Sequence, residues 1–485
     1  MILFKRTDST NNWIVWHRSA GGAYGFLDAT DAFTADSGIS NPTTTVFTIE
    51  STINAGWNAS GGSYIAYLFA HNDDDGGFGE PGDQDIIKCG ATGTYSAGTP
   101  LAVNLGFEPQ WILVKQSDAA DGWYITDVMR EMAVDEGSYL LANSNSAENN
   151  TNNYGVAAPT PTGFILDPGS SALLAGGEFI YMAIRRGGMK TPTAASSVFG
   201  MEDYNSGGSG PVTGIVTDFS IVRDRDADAA NYAATRILGK NYLTPMLNSA
   251  EASSNGAIHD RMDGAWGTGF AGYMIWGWQR ARGYFDVATY TGTGSAGLTV
   301  NHNLGVVPEM MWVKSRSHGG NFYDWGVYHK DLGNTKYLFL NTTAAVGTND
   351  EYWNDTSPTS SVFSLGGPST RTNESGKTYI AHLFATVANV SKVGSFTQSG
   401  ATNVACGFTG DTPSFILLKR TDATGDWLHY DSARGIVAGN DKSLDLNNTD
   451  VEVTADIVDP YSGGFATTSS LANGDYIFYA IASIA

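Results

Sequence analysis

The stretch Gly106-Phe107-Glu108-Pro109-Gln110-Trp111-Ile112-Leu113-Val114-Lys115, with Asp118 and Trp123 just beyond it, decides the fold, because the chain carries it in five versions. A glycine and a proline ahead of an apolar run make a turn that launches a strand. Here the strand ends on a basic residue. The other versions are Ile2-Leu3-Phe4-Lys5, Ser220-Ile221-Val222-Arg223, Met311-Trp312-Val313-Lys314 and Ile416-Leu417-Leu418-Lys419. Asp8, Asp118, Asp226 and Asp422 follow three positions later, and Ser317 takes that place in the fourth version. The basic residues recur roughly every 90–110 residues, too far apart for solenoid units and right for small domains duplicated in tandem.

The register extends beyond that strand. Gly106, Gly214, Gly305 and Gly410 precede the basic residue by nine positions, and Pro109, Pro308 and Pro413 precede it by six. Trp13, Trp123, Phe322 and Trp427 follow it by eight. Each repeat closes on an aromatic-rich strand, beginning at Tyr64, Phe179, Tyr273, Tyr379 and Tyr476. Within residues 285–385, six or seven short alternating segments are separated by Gly-rich turns. That pattern predicts an antiparallel β-sandwich, each sheet having one apolar and one wet face. A propeller blade, at about 40–50 residues, is too short to be the unit. The expected fold is therefore all-β: a tandem array of antiparallel, jelly-roll-like β-sandwich domains, four complete and one partial. The expected boundaries are 1–70 (partial repeat one), an acidic Gly-rich linker at 71–85, 86–190 (repeat two), 195–283 (divergent repeat three), 284–386 (repeat four) and 390–485 (repeat five).

Repeat three departs from the pattern. It lacks the tryptophan and has an Ala-rich stretch after Asp224, which predicts one short helix over residues 225–238. Short linkers, such as residues 280–284, predict a fixed, elongated array. Repeat one starts inside its own basic strand, so its sheet edge is expected to be open to pairing with another chain, or the chain to be cut from a longer polyprotein.

The net charge of −22 excludes nucleic acid as a partner, since phosphate binding rests on Lys and Arg. No apolar run reaches the roughly 20 residues of a membrane-spanning helix, so membrane insertion is not expected. Cys89 and Cys406 fall in different repeats and read as small buried hydrophobes rather than a disulfide. The eight histidines have no metal-ligand spacing, and no nucleophile elbow or phosphate loop occurs. No catalytic residue is expected.

Three features compete for a role. The carboxylates Asp73, Asp74, Asp75, Asp83 and Asp85 could converge on calcium, although without EF-hand spacing a solvated loop is the preferred reading. Trp57, Tyr352 and Trp353 could stack on sugar rings if they stand on loop tips. The recurring Lys5, Lys115, Arg223, Lys314 and Lys419, with Trp13, Trp123 and Trp427, read as a cation–π or ion-pair lock that maintains the fold.

The Leu-Gly-x-x-Pro turn, the apolar strand ending in Val-Lys, the following Trp and Asp, and the connector from Phe69-Ala70-His71-Asn72 to Asp85-Ile86-Ile87-Lys88-Cys89-Gly90 resemble tandem repeats in virion proteins of tailed, especially marine, bacteriophages. The resemblance covers most of the chain, weakly in repeat three and partly in repeat one. It implies a structural tail-fibre or appendage protein in host attachment or particle assembly. The protein would be made in the host cytoplasm and carried on the virion, with other virion proteins and a host surface glycan as partners. Low charge density and the open edge add the expectation of a homo-oligomer, a trimer. The alternative is a secreted or cell-surface lectin-like protein, with polysaccharide hydrolase activity as an extension.

Overall fold

A computed structural model describes the chain except residues 36–37, 41, 50–56, 78–83, 131, 135–136, 150–154, 169–172, 187–189, 205–210, 254–258, 260–262, 265–271, 411 and 485. The described residues are almost entirely antiparallel β, with one four-residue α-helix, Asp350–Trp353, and three short 3-10 turns. They form two compact units, Met1–Gly188 and Met189–Ala485. The first holds repeats one and two, and the second repeats three to five.

One strand order recurs. In repeat five, the opening strand Ser391–Gln398 pairs with the closing strand Gly474–Ile481. The closing strand then pairs with the basic strand Phe415–Arg420, followed by Trp427–Asp431, Asp441–Asp445 and Val453–Ala455. Repeats three and four have the same six-strand order, and repeat two its first five. Among the described residues, repeat one has four strands in this order, Tyr64–Leu68, Ile2–Arg6, Ile14–Trp16 and Tyr24–Phe26, and none on the outer edge of Tyr64–Leu68.

Smaller second sheets complete the sandwiches: Leu101–Asn104, Gly163–Leu166 and Ala157–Thr160 in repeat two, and Thr402–Ala405, Gly464–Thr467 and Val458–Tyr461 in repeat five. Repeat four has Leu298–Asn301 paired with Val362–Leu365. In repeat three the segments that would supply a second sheet fall largely outside the described residues. Between the sheets of repeat two, Ile112, Val114, Phe164, Leu166 and Phe179 are 0% exposed, as strict alternation demands. The launching glycines Gly106, Gly214, Gly305 and Gly410 all have positive φ, which explains why glycine stands there each time.

Three expectations need correction. The stretch 225–238 forms a strand, Tyr232–Thr235, and a single 3-10 turn, Arg236–Leu238, because pairing with Phe219–Asp224 and near-complete burial in the sheet override helix propensity. Phe322 is 65% exposed, and Trp325 takes the place of the recurring tryptophan instead. Finally, the array in the second unit is not elongated. Repeat four packs on three, five on four, and three on five, so the contacts close on themselves.

Candidate functional site

The feature repeated most faithfully is the seam between neighbouring repeats, and it starts from strand register. Lys115 stands opposite Trp123 and Lys419 opposite Trp427 across their strand pairs. The same registers, continued by one residue, set Lys5 against Trp13, Lys314 against Trp325 and Arg223 against Asn231. An Asn or Asp side chain fixes each tryptophan by accepting its backbone N–H: Asn143 for Trp123 at 2.8 Å, Asn341 for Trp325 at 3.0 Å, Asn447 for Trp427 at 2.7 Å and Asp28 for Trp13 at 3.1 Å.

Four of these five cross-strand pairs, three with tryptophan and one with Asn231, reach the neighbouring repeat. Trp123 Nε1 donates to the Phe26 carbonyl at 2.7 Å, Trp325 Nε1 to Thr244 at 3.1 Å and Trp427 Nε1 to Phe339 at 2.9 Å. Asn231 Nδ2 fills the role in repeat three, donating to Leu446 at 2.9 Å. Four residues beyond the acceptors Phe26 and Phe339, the Thr30 and Thr343 carbonyls accept from Lys115 Nζ and Lys419 Nζ, each at 3.0 Å. Arg223 donates to the Asp445 and Asn448 carbonyls at 2.7 and 2.8 Å, and also to Asp450.

The backbone closes each seam. Phe33, Glu251, Val346 and Glu452 donate their N–H groups to the carbonyls of Ser117, Arg316, Thr421 and Arg225 at 2.9, 2.8, 3.0 and 3.2 Å. A last contact touches the closing strand of the neighbour. His17 Nε2 meets the Tyr181 carbonyl at 3.1 Å, Thr235 Oγ1 meets His382 Nε2 at 3.1 Å, and Trp276 Nε1 donates to Asp431 Oδ2 at 3.0 Å. His329 faces the Phe478 carbonyl. Every seam therefore has a donor face on one repeat and a carbonyl loop on the other. Repeats one and two share one seam, and repeats three, four and five share three in a cycle.

The electrostatics follow from burial. Desolvation pushes Lys314 and Lys419 down to about 8, opposed by Asp324 and Asp426 respectively, and it lowers Lys115 and Arg223 as well. Burial likewise lowers His17, His259 and His382 to about 3 and His329 to about 4, and holds His429 well below its usual value. Aromatic rings fill the middle of the second unit: Phe219 lies 4.4 Å from His382, Trp278 5.4 Å from Phe415 and Phe384 5.0 Å from Tyr479.

Of the expected site residues, the basic–tryptophan set is brought together. Lys5 and Lys419 lie 5.7 and 5.9 Å from the rings of Trp13 and Trp427, but their N–H groups are spent on carbonyls. The sugar-stacking expectation is overturned. Trp57, Tyr352 and Trp353 are 3, 2 and 1% exposed, with Tyr352 stacked on Tyr337 at 4.0 Å and Trp353 Nε1 bonded to the Lys336 carbonyl. They are core residues because apolar area outweighs the polarity of their neighbours in sequence.

The calcium candidates that the structure describes make contacts within their own loop and the strand that follows it. Asp75 accepts from the Asp73 N–H, Asp85 from the Asp74 N–H and Lys88, and Asp74 from the Gln84 N–H. Asp83 lies outside the described residues. Among the described residues no three His, Cys, Asp or Glu side chains gather to hold a metal. Cys89 and Cys406 are both buried and free. The seam carbonyls were missed in sequence because backbone acceptors have no residue signature. The recurring Asn143, Asn341 and Asn447 were a readable signal.

A family model described as Domain of unknown function (DUF7483) matches residues 1–186 and again residues 279–484. Each match spans two repeats joined by one seam, and repeat three lies between them. No curated protein matches the chain.

Proposed function

The chain belongs to the DUF7483 family, and on that footing we propose that it is a structural protein of a bacteriophage particle, a non-catalytic component of a tail fibre or appendage in host attachment or assembly. One observation carries this reading. The basic residue recurs in every repeat and its tryptophan in four of the five, with Asn231 in its place in repeat three. In four of the five repeats this pair clamps one β-repeat to the next through the basic residue, the partner's side-chain N–H, or both. Repetition spent on mechanical joints is what a rigid spacer or shell component requires. The resemblance to repeats of phage virion proteins points the same way. Other virion proteins are the proposed partners, with a host surface glycan as the receptor chemistry. The lectin-like alternative is weakened, because its three named aromatics are core residues.

Mass spectrometry and immunogold microscopy of purified particles test the reading. The chain should co-purify with intact virions at stoichiometric level and label one appendage. Recovery only in the soluble fraction would overturn it. The homotrimer is part of the proposal and is tested by sedimentation: a monomer-sized species at micromolar concentration would remove it.

A further inference from the structure

The second unit uses every donor face and every carbonyl loop it has, whereas the first unit leaves one of each unused. In repeat one the donor face is Lys5, Trp13 and the Thr7 carbonyl. Lys5 makes the bond to its own repeat, at the Asn11 carbonyl, that Lys115 and Lys419 also make at Asp121 and Gly425. Among the described residues, however, it meets no carbonyl of another repeat, and none receives the Trp13 indole. In repeat two, register makes Leu141 the counterpart of Phe26 and Phe339, since each lies opposite the residue after the tryptophan. The loop positions that serve as acceptor and donor elsewhere are then Asn145 and Glu148, and both are exposed.

The inner face shows the same gap. Tyr67 is the register counterpart of Met182, Trp276, His382 and Tyr479 on the closing strands. Those four are 3, 0, 1 and 1% exposed, whereas Tyr67 is 45% exposed and Ile65, on the same face, 41%.

We infer that the first unit is two-thirds of a ring like the second, and that its open place receives one further sandwich of the same family from outside residues 1–485. Head-to-tail contacts of one type generate rings when their rotation closes, and in the second unit three such seams close. The first unit contains the same seam, bond for bond. A third sandwich in that place would therefore complete two seams together. Its carbonyl loop would take Lys5 and Trp13, and its own basic residue and tryptophan would reach the Leu141 and Asn145 carbonyls.

A second copy of this chain does not fit. Docking its repeat one on the free loop of repeat two would place its repeat two where the first chain's repeat one already stands. The occupant is thus a single sandwich with both faces free. Among the described residues no strand pairs with Tyr64–Leu68 on the side away from Ile2–Arg6. Ile87–Tyr95, Phe285–Thr291 and Ser391–Gln398 lie on that side in repeats two, four and five, and an occupant that also brings an antiparallel strand fits there.

The test replaces Met1 of the full chain with a duplicate of residues 284–405, which carries one sandwich and the opening strands of the next. Hydrogen exchange is then followed at Tyr64–Leu68 and at residues 141–148. Seating should slow both regions at least tenfold relative to the unextended chain. Trp13→Ala in the extended chain should restore fast exchange at 141–148 as well, because the two seams close together. A folded added sandwich with both regions exchanging as before overturns the proposal. An added segment that stays unfolded also counts against it, because the two faces are held to stabilise their occupant.

Discussion

Acid should open the second unit well before its carboxylates titrate. His259 and His382 are held to about 3 and His329 to about 4, and His429 lies well below its usual value, all chiefly through burial. A histidine whose folded pKa is depressed favours the unfolded chain once the pH falls below the unfolded value of 6.5. The unfolded chain then binds a proton that the folded one refuses, until the folded pKa is reached. At pH 5 each such histidine costs about 2 kcal/mol, whatever its folded pKa below that pH. His259, His382 and His329 sum to about 6 kcal/mol, comparable with the whole stability of a domain, about 5–15 kcal/mol, and His429 acts in the same direction. Lys314 and Lys419, at about 8, are charged in both states throughout this window and do not contribute. For a unit of about 300 residues, about 6 kcal/mol corresponds to roughly 10 °C in Tm. Scanning calorimetry at pH 7.5, 6.5, 5.5 and 5.0 should show that fall. His382→Gln should flatten it by about 1.4 kcal/mol per pH unit. A Tm that moves by less than about 3 °C between pH 7 and 5 would refute the neutral, buried histidines on which the reasoning rests.

Trp427→Phe removes the N–H that reaches the Phe339 carbonyl and should cost about 1–3 kcal/mol in urea unfolding, whereas Trp13→Phe, whose indole meets no described carbonyl, should cost under about 1 kcal/mol. Lys419→Met strands the Thr343 and Gly425 carbonyls and should lower the urea midpoint by a similar 1–3 kcal/mol, roughly, even though it removes an unfavourably buried charge. Gly464→Ala would place a methyl group 2.0 Å from the Val404 carbonyl oxygen, so the backbone of the second sheet must move. A loss of about 2 kcal/mol or more, read by circular dichroism melting, is expected there.

The fold was legible because each repeat wrote the same strand chemistry again. The Gly106-to-Lys115 pattern located all five basic strands, and the closing strands at Tyr64, Phe179, Tyr273, Tyr379 and Tyr476 fell where aromatic runs placed them. Counting positions failed at Phe322, because three extra residues move the equivalent tryptophan to 325, and only strand register shows this. The basic residue was visible, but its target was not. Thr30, Thr343 and Asn448 act through main-chain oxygens, which any residue supplies. The cyclic closure was hidden for the same reason, since Arg223 and Asp445 lie in repeats separated by a whole repeat and nothing local links them.

That closure is the centre of the account, and one covalent test addresses it. The Glu452 N–H lies 3.2 Å from the Arg225 carbonyl, a backbone approach close enough for a disulfide between paired cysteines. In the Arg225→Cys, Glu452→Cys variant, oxidation of the full chain should give an intramolecular cross-link, seen as a faster band on non-reducing gels and as the linked peptide by mass spectrometry, while the buried Cys89 and Cys406 stay reduced. A string of repeats would keep three and five apart. If the variant yields only free thiols or intermolecular dimers, the ring is wrong.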